Sequence, residues 1–199
     1  MAGIGLSKPY FAVYNAAGNI VSYSNGGLMG KAVEVDIEIE VSEDNNLYAD
    51  NGVAETDRTF SNGTLTITTD DLSEEVSKVM LGLKEETLTS IEGITDNSAK
   101  RLIYDDDQVV PYLGFGVVFK KQVNGVVRWR AVILKKCMFA VPGDAATTQG
   151  ETIEWQTPEL SATIMRDDSA KHQWKEEATF STEAQAEAYI KHVLNILGG

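Results

Sequence analysis

The chain has 199 residues, 43% hydrophobic and 24% charged, which suits one domain with a substantial core. Its 17 Lys and Arg face 30 Asp and Glu, a net charge of −13, which argues against a surface built to bind phosphate backbones, because that affinity rests on clustered cations. The lone cysteine, Cys137, excludes an intrachain disulfide, and no run of about 18 apolar residues offers a transmembrane helix.

The opening MAGIGLSKPY lacks the basic start and apolar run of a signal peptide, so no secretory leader is expected and the sequon Asn62-Gly63-Thr64 is discounted. Tyr10 to Tyr14 and Ile20 to Tyr23 flank the turn cluster Asn15 to Asn19 and predict a hairpin, with Gly26, Gly27 and Gly30 marking a bend. The clearest periodicity follows. Val33, Val35, Ile37, Ile39 and Val41 alternate with Glu34, Asp36, Glu38 and Glu40, the period of two of a half-buried strand. Same-face carboxylates on such a strand lie about 7 Å apart. At that distance in water each neighbouring pair costs roughly 0.6 kcal/mol before screening. Burying each opposing Val or Ile returns roughly 1.5–3 kcal/mol. The strand forms despite its charge, in a firmly set register.

From Ser42 to Gly63 the chain is polar with few large apolar residues, and a long loop over about 42–62 is expected. Thr64 to Thr69 predicts a short strand. A helix follows, with Asp71 and Glu74 at capping-box spacing and Leu72, Val76, Val79, Met80 and Leu83 on one stripe. Further on, Gly114 to Val123 and Val126 to Ala140 flank Asn124-Gly125, the strongest short hairpin signal. Pro142 to Gly150 reads as a loop, and Thr152 to Met165 and Gln173 to Phe180 as strands. A final helix over about 182–197 is opened by Thr182 with Gln185 and closed at Gly198-Gly199. Its packing face carries Ala186, Tyr189, Ile190, Val193, Leu194 and Leu197. The expected fold is mainly β: a single antiparallel β-sandwich or barrel spanning 1–199, with two flanking helices.

Signals for chemistry are sparse. His172 and His192 are far apart in the chain, with no Cys or carboxylate at metal-ligand spacing, and predict no zinc site. Asp44, Asn46 and Asp50 lack the Gly and distal Glu of an EF-hand loop, and Asp105-Asp106-Asp107 reads as a solvated turn. Gly114-Phe115-Gly116 lies in a strand pattern and opens no helix, so it is not a dinucleotide fingerprint. No nucleophile elbow, P-loop or HExxH is present. Cys137, in an apolar strand, reads as a packed thiol. No catalytic residue, cofactor or metal is predicted. Two other classes stay open: a monomeric carbohydrate-type binding sandwich around Trp129, Trp155 and Trp174, and a two-carboxylate hydrolase.

Several segments, in order, resemble a known family. Leu47-Tyr48-Ala49-Asp50-Asn51 and Ala54-Glu55-Thr56-Asp57 lie in the polar stretch. Gly63-Thr64-Leu65-Thr66-Ile67 runs into Asp71-Leu72-Ser73-Glu74-Glu75 and a helix ending near Leu81-Gly82. Gly114-Phe115-Gly116 leads into the long hairpin through Trp129, and Thr157-Pro158-Glu159-Leu160 opens a late strand. Their order, over nearly the whole chain, resembles the major tail (tail tube) proteins of siphophages of Gram-positive hosts. The resemblance implies a virion subunit that closes into hexameric rings stacked as a hollow tube, through which DNA passes without specific binding. Tape measure and tail-completion proteins are the implied further partners. Related tubes occur in contractile tails and secretion systems.

In such a tube the polar stretch matches the loop that reaches the neighbouring ring, with Leu47, Tyr48, Asp50, Val53 and Phe60 as candidate inter-ring contacts. Glu34, Asp36, Glu38 and Glu40 become candidate lumen lining, although outer solvent or a neighbour's cations suit them equally. Lys120, Lys121, Arg128, Arg130, Lys135 and Lys136 are candidate partners for a neighbour's acids.

Overall fold

Two long hairpins carry the architecture. β1 (Ala2–Ala17) and β2 (Ile20–Leu28) turn through Gly18-Asn19. β9 (Leu113–Val123) and β10 (Val126–Phe139) turn through Asn124-Gly125, where φ is 50° and 78°. Two consecutive positive φ values make a primed turn, whose twist matches that of the flanking strands. In this computed structural model the described residues are 2–42, 45–49, 52–57, 59–88, 92–93, 99–143 and 157–196.

The other strands are β3 (Ala32–Val41), β4 (Asn45–Ala49), β5 (Gly52–Asp57), β6 (Phe60–Thr69), β7 (Lys84–Thr87), β8 (Lys100–Ile103), β11 (Glu159–Met165) and β12 (Lys175–Phe180). The helices are α1 (Glu74–Leu81) and α2 (Glu183–Val193). The main sheet is antiparallel throughout, in the order β2-β1-β9-β10-β11-β6-β3, with β12 also on β10.

β10 exchanges partners along its length. Its Trp129–Leu134 segment pairs with β12, and Lys136–Phe139 pairs with β11. The register against β9 slips between Leu134 and Cys137, at the point of exchange. An extra residue in one strand bends it and raises its twist. The sheet thereby splits into two wings, β2-β1-β9-β10-β12 and β10-β11-β6-β3. Phe11, Phe115, Val117, Val132 and Leu134 of the first wing share a core with Leu65, Ile67, Leu160 and Ile164 of the second. β1 and β3, distant in strand order, come into contact across it. The result is a β-sandwich with flanking helices.

α1 closes the shared core with Met80 and Leu81, and Leu72, Val76 and Val79 pack against it. Its N-cap is Ser73, not Asp71: the Ser73 hydroxyl accepts from the Val76 N–H at 3.4 Å, while Asp71 accepts from Leu72 N–H at 2.8 Å. Ser73 has the same capping chemistry two residues later, and this start puts Glu74 and Glu75 at the positive end of the helix dipole.

α2 begins at Thr182, which accepts from Gln185 N–H at 3.4 Å. It covers the opposite face of the first wing, burying Ala186, Ile190 and Leu194 against Tyr10, Ala12, Tyr14, Tyr23, Val118, Ala131 and Ile133. The helix therefore packs on its own subunit. It ends at Val193, short of the expected 197, because Leu194 and then Asn195 (φ 50°) leave helical geometry; Leu197 and the two terminal glycines lie outside the described residues.

The remaining departures are local. The expected long loop contains a hairpin, β4–β5, and β6 starts at Phe60, four residues before the expected Thr64. β11 starts at Glu159; residues 152–156 lie outside the described ones. β7 and β8 form a separate ladder that the sequence pattern does not announce. Ion pairs link the acids of β7 to the two cations that open β8. Glu85 meets Lys100 at 2.8 Å, and Glu86 meets Arg101 at 2.6 Å.

A polar knot ties α2 to β1. Glu187 takes hydrogen bonds from Lys191 (2.8 Å), Lys8 and Tyr10 (2.7 Å). The two ammonium groups hold its carboxyl down at about 2, against an ordinary 4.5. A depressed carboxylate pKa stabilises the fold fully above the unfolded value, and the gain disappears as pH falls from about 4.5 to about 2. Glu187→Gln is therefore expected to cost on the order of 2 kcal/mol at pH 7 and almost nothing at pH 2, measured as urea unfolding of both proteins across that range.

Candidate assembly surfaces

The alternation in β3 works as its period requires. Val35, Ile37 and Ile39 are half-buried and pack on the shared core, while Glu34, Asp36, Glu38 and Glu40 are exposed on the other face. Val33 and Val41, at the ends of the pattern, are 54% and 52% exposed, because the core does not extend beneath the strand ends.

The acids do not stand alone. In register, Glu34 lies beside Thr68 and then Glu159; Asp36 beside Thr66 and Ser161; Glu38 beside Thr64 and Thr163; Glu40 beside Asn62. The outer face of the second wing is thus a continuous lattice of carboxylates, hydroxyls and one amide across three strands. Under the same strands, Leu65, Ile67, Leu160, Ala162 and Ile164 are buried, so both the face and the register are held by the core. The sequence shows this face only in part. The Thr-Leu-Thr-Ile-Thr alternation of β6 is legible, but its alignment with the acids depends on strand pairing. Among the described residues no cation lies within ion-pair distance of the four acids.

Among the described residues β3 pairs with β6 alone, and β2 with β1 alone, so both ends of the strand order are open edges. Exposed edges of nine or ten residues are templates for pairing with another chain.

The six candidate cations of the long hairpin fall into two groups. Lys135 is buried and paired with Glu176, and Lys136 meets Asp168 at 2.7 Å, with its ammonium over the rings of Tyr112 and Tyr14. Arg130 lies over the Phe119 ring and 3.6 Å from Glu177. These three engage carboxylates of their own subunit. Lys120, Lys121 and Arg128 remain, and among the described residues none is ion-paired.

Leu47, Tyr48 and Val53 fall on the β4–β5 hairpin, and Asp50 lies outside the described residues. Phe60 is not at a loop tip. It opens β6 and stacks on Trp174 with ring centroids 4.5 Å apart, while Arg166 donates to its carbonyl. Its ring is thus engaged within the subunit while staying only half-buried.

The features that suggested other classes are dispersed. Trp129 packs on the α2 side and Trp174 on the shared core, so they form no common platform; Trp155 lies outside the described residues. His172 Nδ1 is 3.2 Å from the Asp167 carbonyl oxygen, and His192 sits in the last turn of α2. Asp105 is engaged by Lys84 at 2.7 Å. Among the described residues no three His, Cys, Asp or Glu side chains are grouped to hold a metal ion. Cys137 is buried, and burial pushes its thiol pKa far up. Asp44 lies outside the described residues.

One polar cleft of about 460 Å³ lies beside the end of α2, lined by Tyr23, Lys135, Asp167, Ser169 and Asn195 among others. Its charged groups are already engaged. Asp167 accepts from Ser169 Oγ at 2.6 Å, and Lys135 holds Glu176. Nearby, the Tyr14 hydroxyl donates to Asp168 at 2.8 Å, and its pKa is pushed up to about 12, chiefly by burial. These long-range links have no signature in the sequence.

No protein-family model matches the chain, and no curated protein matches it.

Proposed function

We propose that this chain is the major subunit of a siphophage tail tube, a virion structural protein that assembles into stacked hexameric rings conducting DNA during ejection. The observation that carries the reading is the acidic and hydroxyl-rich face of β3-β6-β11. It is exposed, continuous over three strands and backed by core, and it ends on an open edge. Neighbouring copies joined along such edges close a barrel, which removes the edges and turns each copy's outer face toward a shared lumen.

The chemistry of that face suits a conduit. Carboxylates repel phosphates, and Thr, Ser and Asn side chains present short, neutral groups that offer no cation for DNA to grip. Screening confines the repulsion to about 8 Å at physiological salt, so it acts on DNA passing close to the wall. The β4–β5 hairpin, on the segment between β3 and β6, suits the reach to the next ring. Tape measure and tail-completion proteins would meet the tube bore and its ends.

The test is charge reversal on the wall. Tails carrying Asp36→Lys and Glu38→Lys are expected to reach normal length by electron microscopy and to deliver DNA at least tenfold less well. Undiminished delivery from normal tails would refute the lumen assignment, and a purified wild-type chain that forms neither rings nor tubes under any assembly condition would refute the tube.

A further inference from the structure

Beyond the end of β12, the β9–β10 hairpin continues as an arm. β12 stops opposite Trp129, so among the described residues Val126–Arg128 has no strand on its second edge. The arm exposes Val126 and Val127 (50% and 37%), with Ile4 of β1 (49%) beside it. Lys121 and Arg128 stand directly opposite one another in the ladder, with no carboxylate in reach among the described residues. Lys120, on the other face, lies over the Trp129 ring at 5.3 Å. Like charges in a cross-strand pair oppose the ladder that holds them. On a chain of net charge −13, this tip brings together three cations without ion-pair partners among the described residues and two exposed valines.

We infer that this arm is a docking element whose occupant is the acidic surface of a second copy of the same chain. Charge complementarity carries the choice: with a net charge of −13, another copy supplies the carboxylates that Lys121 and Arg128 lack, and the contact covers Val126, which shares their face of the hairpin. Three cations on an acidic chain are few for a phosphate backbone, which disfavours DNA as the occupant. The inference deepens the tube reading, because it names a contact between subunits, but it concerns the arm and not the lumen wall.

Lys121→Glu separates folding from docking. It replaces the repulsive pair by an ion pair with Arg128, so the melting temperature is expected to hold or rise slightly while the concentration for self-association rises at least tenfold in sedimentation. In parallel, isotopically labelled and unlabelled full-length chains are mixed and treated with a zero-length carbodiimide reagent. Mixed-isotope links from Lys120 or Lys121 to an Asp or Glu are expected.

Rings or tubes without such links would overturn the arm contact and leave the tube standing. Links without rings or tubes would do the reverse. Links landing on Glu34, Asp36, Glu38 or Glu40 would support the arm contact and remove those acids from the lumen. Unchanged association of Lys121→Glu, or retention of labelled duplex DNA by the wild-type arm but not by the variant, would overturn the inference.

Discussion

Gly114→Val is expected to destabilise the protein by about 3 kcal/mol, and Gly116→Ala by about 2 kcal/mol, as lower urea midpoints with little change in slope. Both glycines lie in β9 under α2. A Cβ on Gly114 falls 2.5 Å from the Tyr23 ring and 2.7 Å from Leu194 Cδ2; one on Gly116 falls 2.5 Å from Ile190 Cγ2. The helix rests on strand backbone here, and any side chain lifts it.

The two sites differ in how they can be rescued. Gly116 meets one close atom, so Gly116→Ala combined with Ile190→Ala should cost at least about 1 kcal/mol less than the sum of the single changes. Gly114 meets two buried groups, and Tyr23 is pinned by its hydroxyl donating to the Lys135 carbonyl oxygen at 2.9 Å. Trimming Leu194 alone should therefore not rescue Gly114→Val. Strict additivity at Gly116 would show that contact with α2 is not the reason for the glycine.

The second large effect concerns the acidic strand. Gly63→Val is expected to cost about 3 kcal/mol and to free β3 from the sheet. Gly63 pairs with Ile39, and a Cβ there would lie 2.6 Å from the Glu38 carbonyl oxygen, 3.1 Å from Ile39 Cδ1 and 3.2 Å from Ile164 Cδ1. The first of these is backbone and cannot rotate away. Among the described residues β3 has a strand on only one side, so it is the element that yields. Amide exchange should show protection lost across Ala32–Val41 while β9 and β10 stay protected. Under the tube reading, assembly is lost with it. Protection that fell equally in all strands would mean that β3 is not a separable edge.

Where neighbours in sequence decide the outcome, the structure was legible beforehand. Asn124-Gly125 places two residues at positive φ, and a two-residue turn follows, with the register of both arms. The stripe of α1 and the Thr182 start of α2 likewise follow from spacing along a few turns. β7 and β8 were not legible, because a strand held by cross-strand ion pairs has no hydrophobic period to detect. The β4–β5 hairpin was missed for a similar reason: its polar residues read as loop until pairing supplies the backbone hydrogen bonds. Of the candidate cations, the sequence could not separate Lys135, buried beside Glu176, from Lys121, opposite Arg128. The partners that distinguish them are up to 41 residues away or on another strand.

By itself, then, the sequence determined that residues 33–41 form a strand with an apolar and an acidic face, since a period of two is a local property of extended backbone. It equally determined the long hairpin and the buried character of Cys137. Only the tertiary structure decided that the acids sit at an open edge in line with the hydroxyls of β6 and β11. Only it decided that β10 changes partners at a bulge, and that Gly114 and Gly116 are the floor under a helix. These are settled by which distant strands meet, because a side chain's neighbours across a sheet lie tens of residues away, and their alignment depends on the core that all of the strands share.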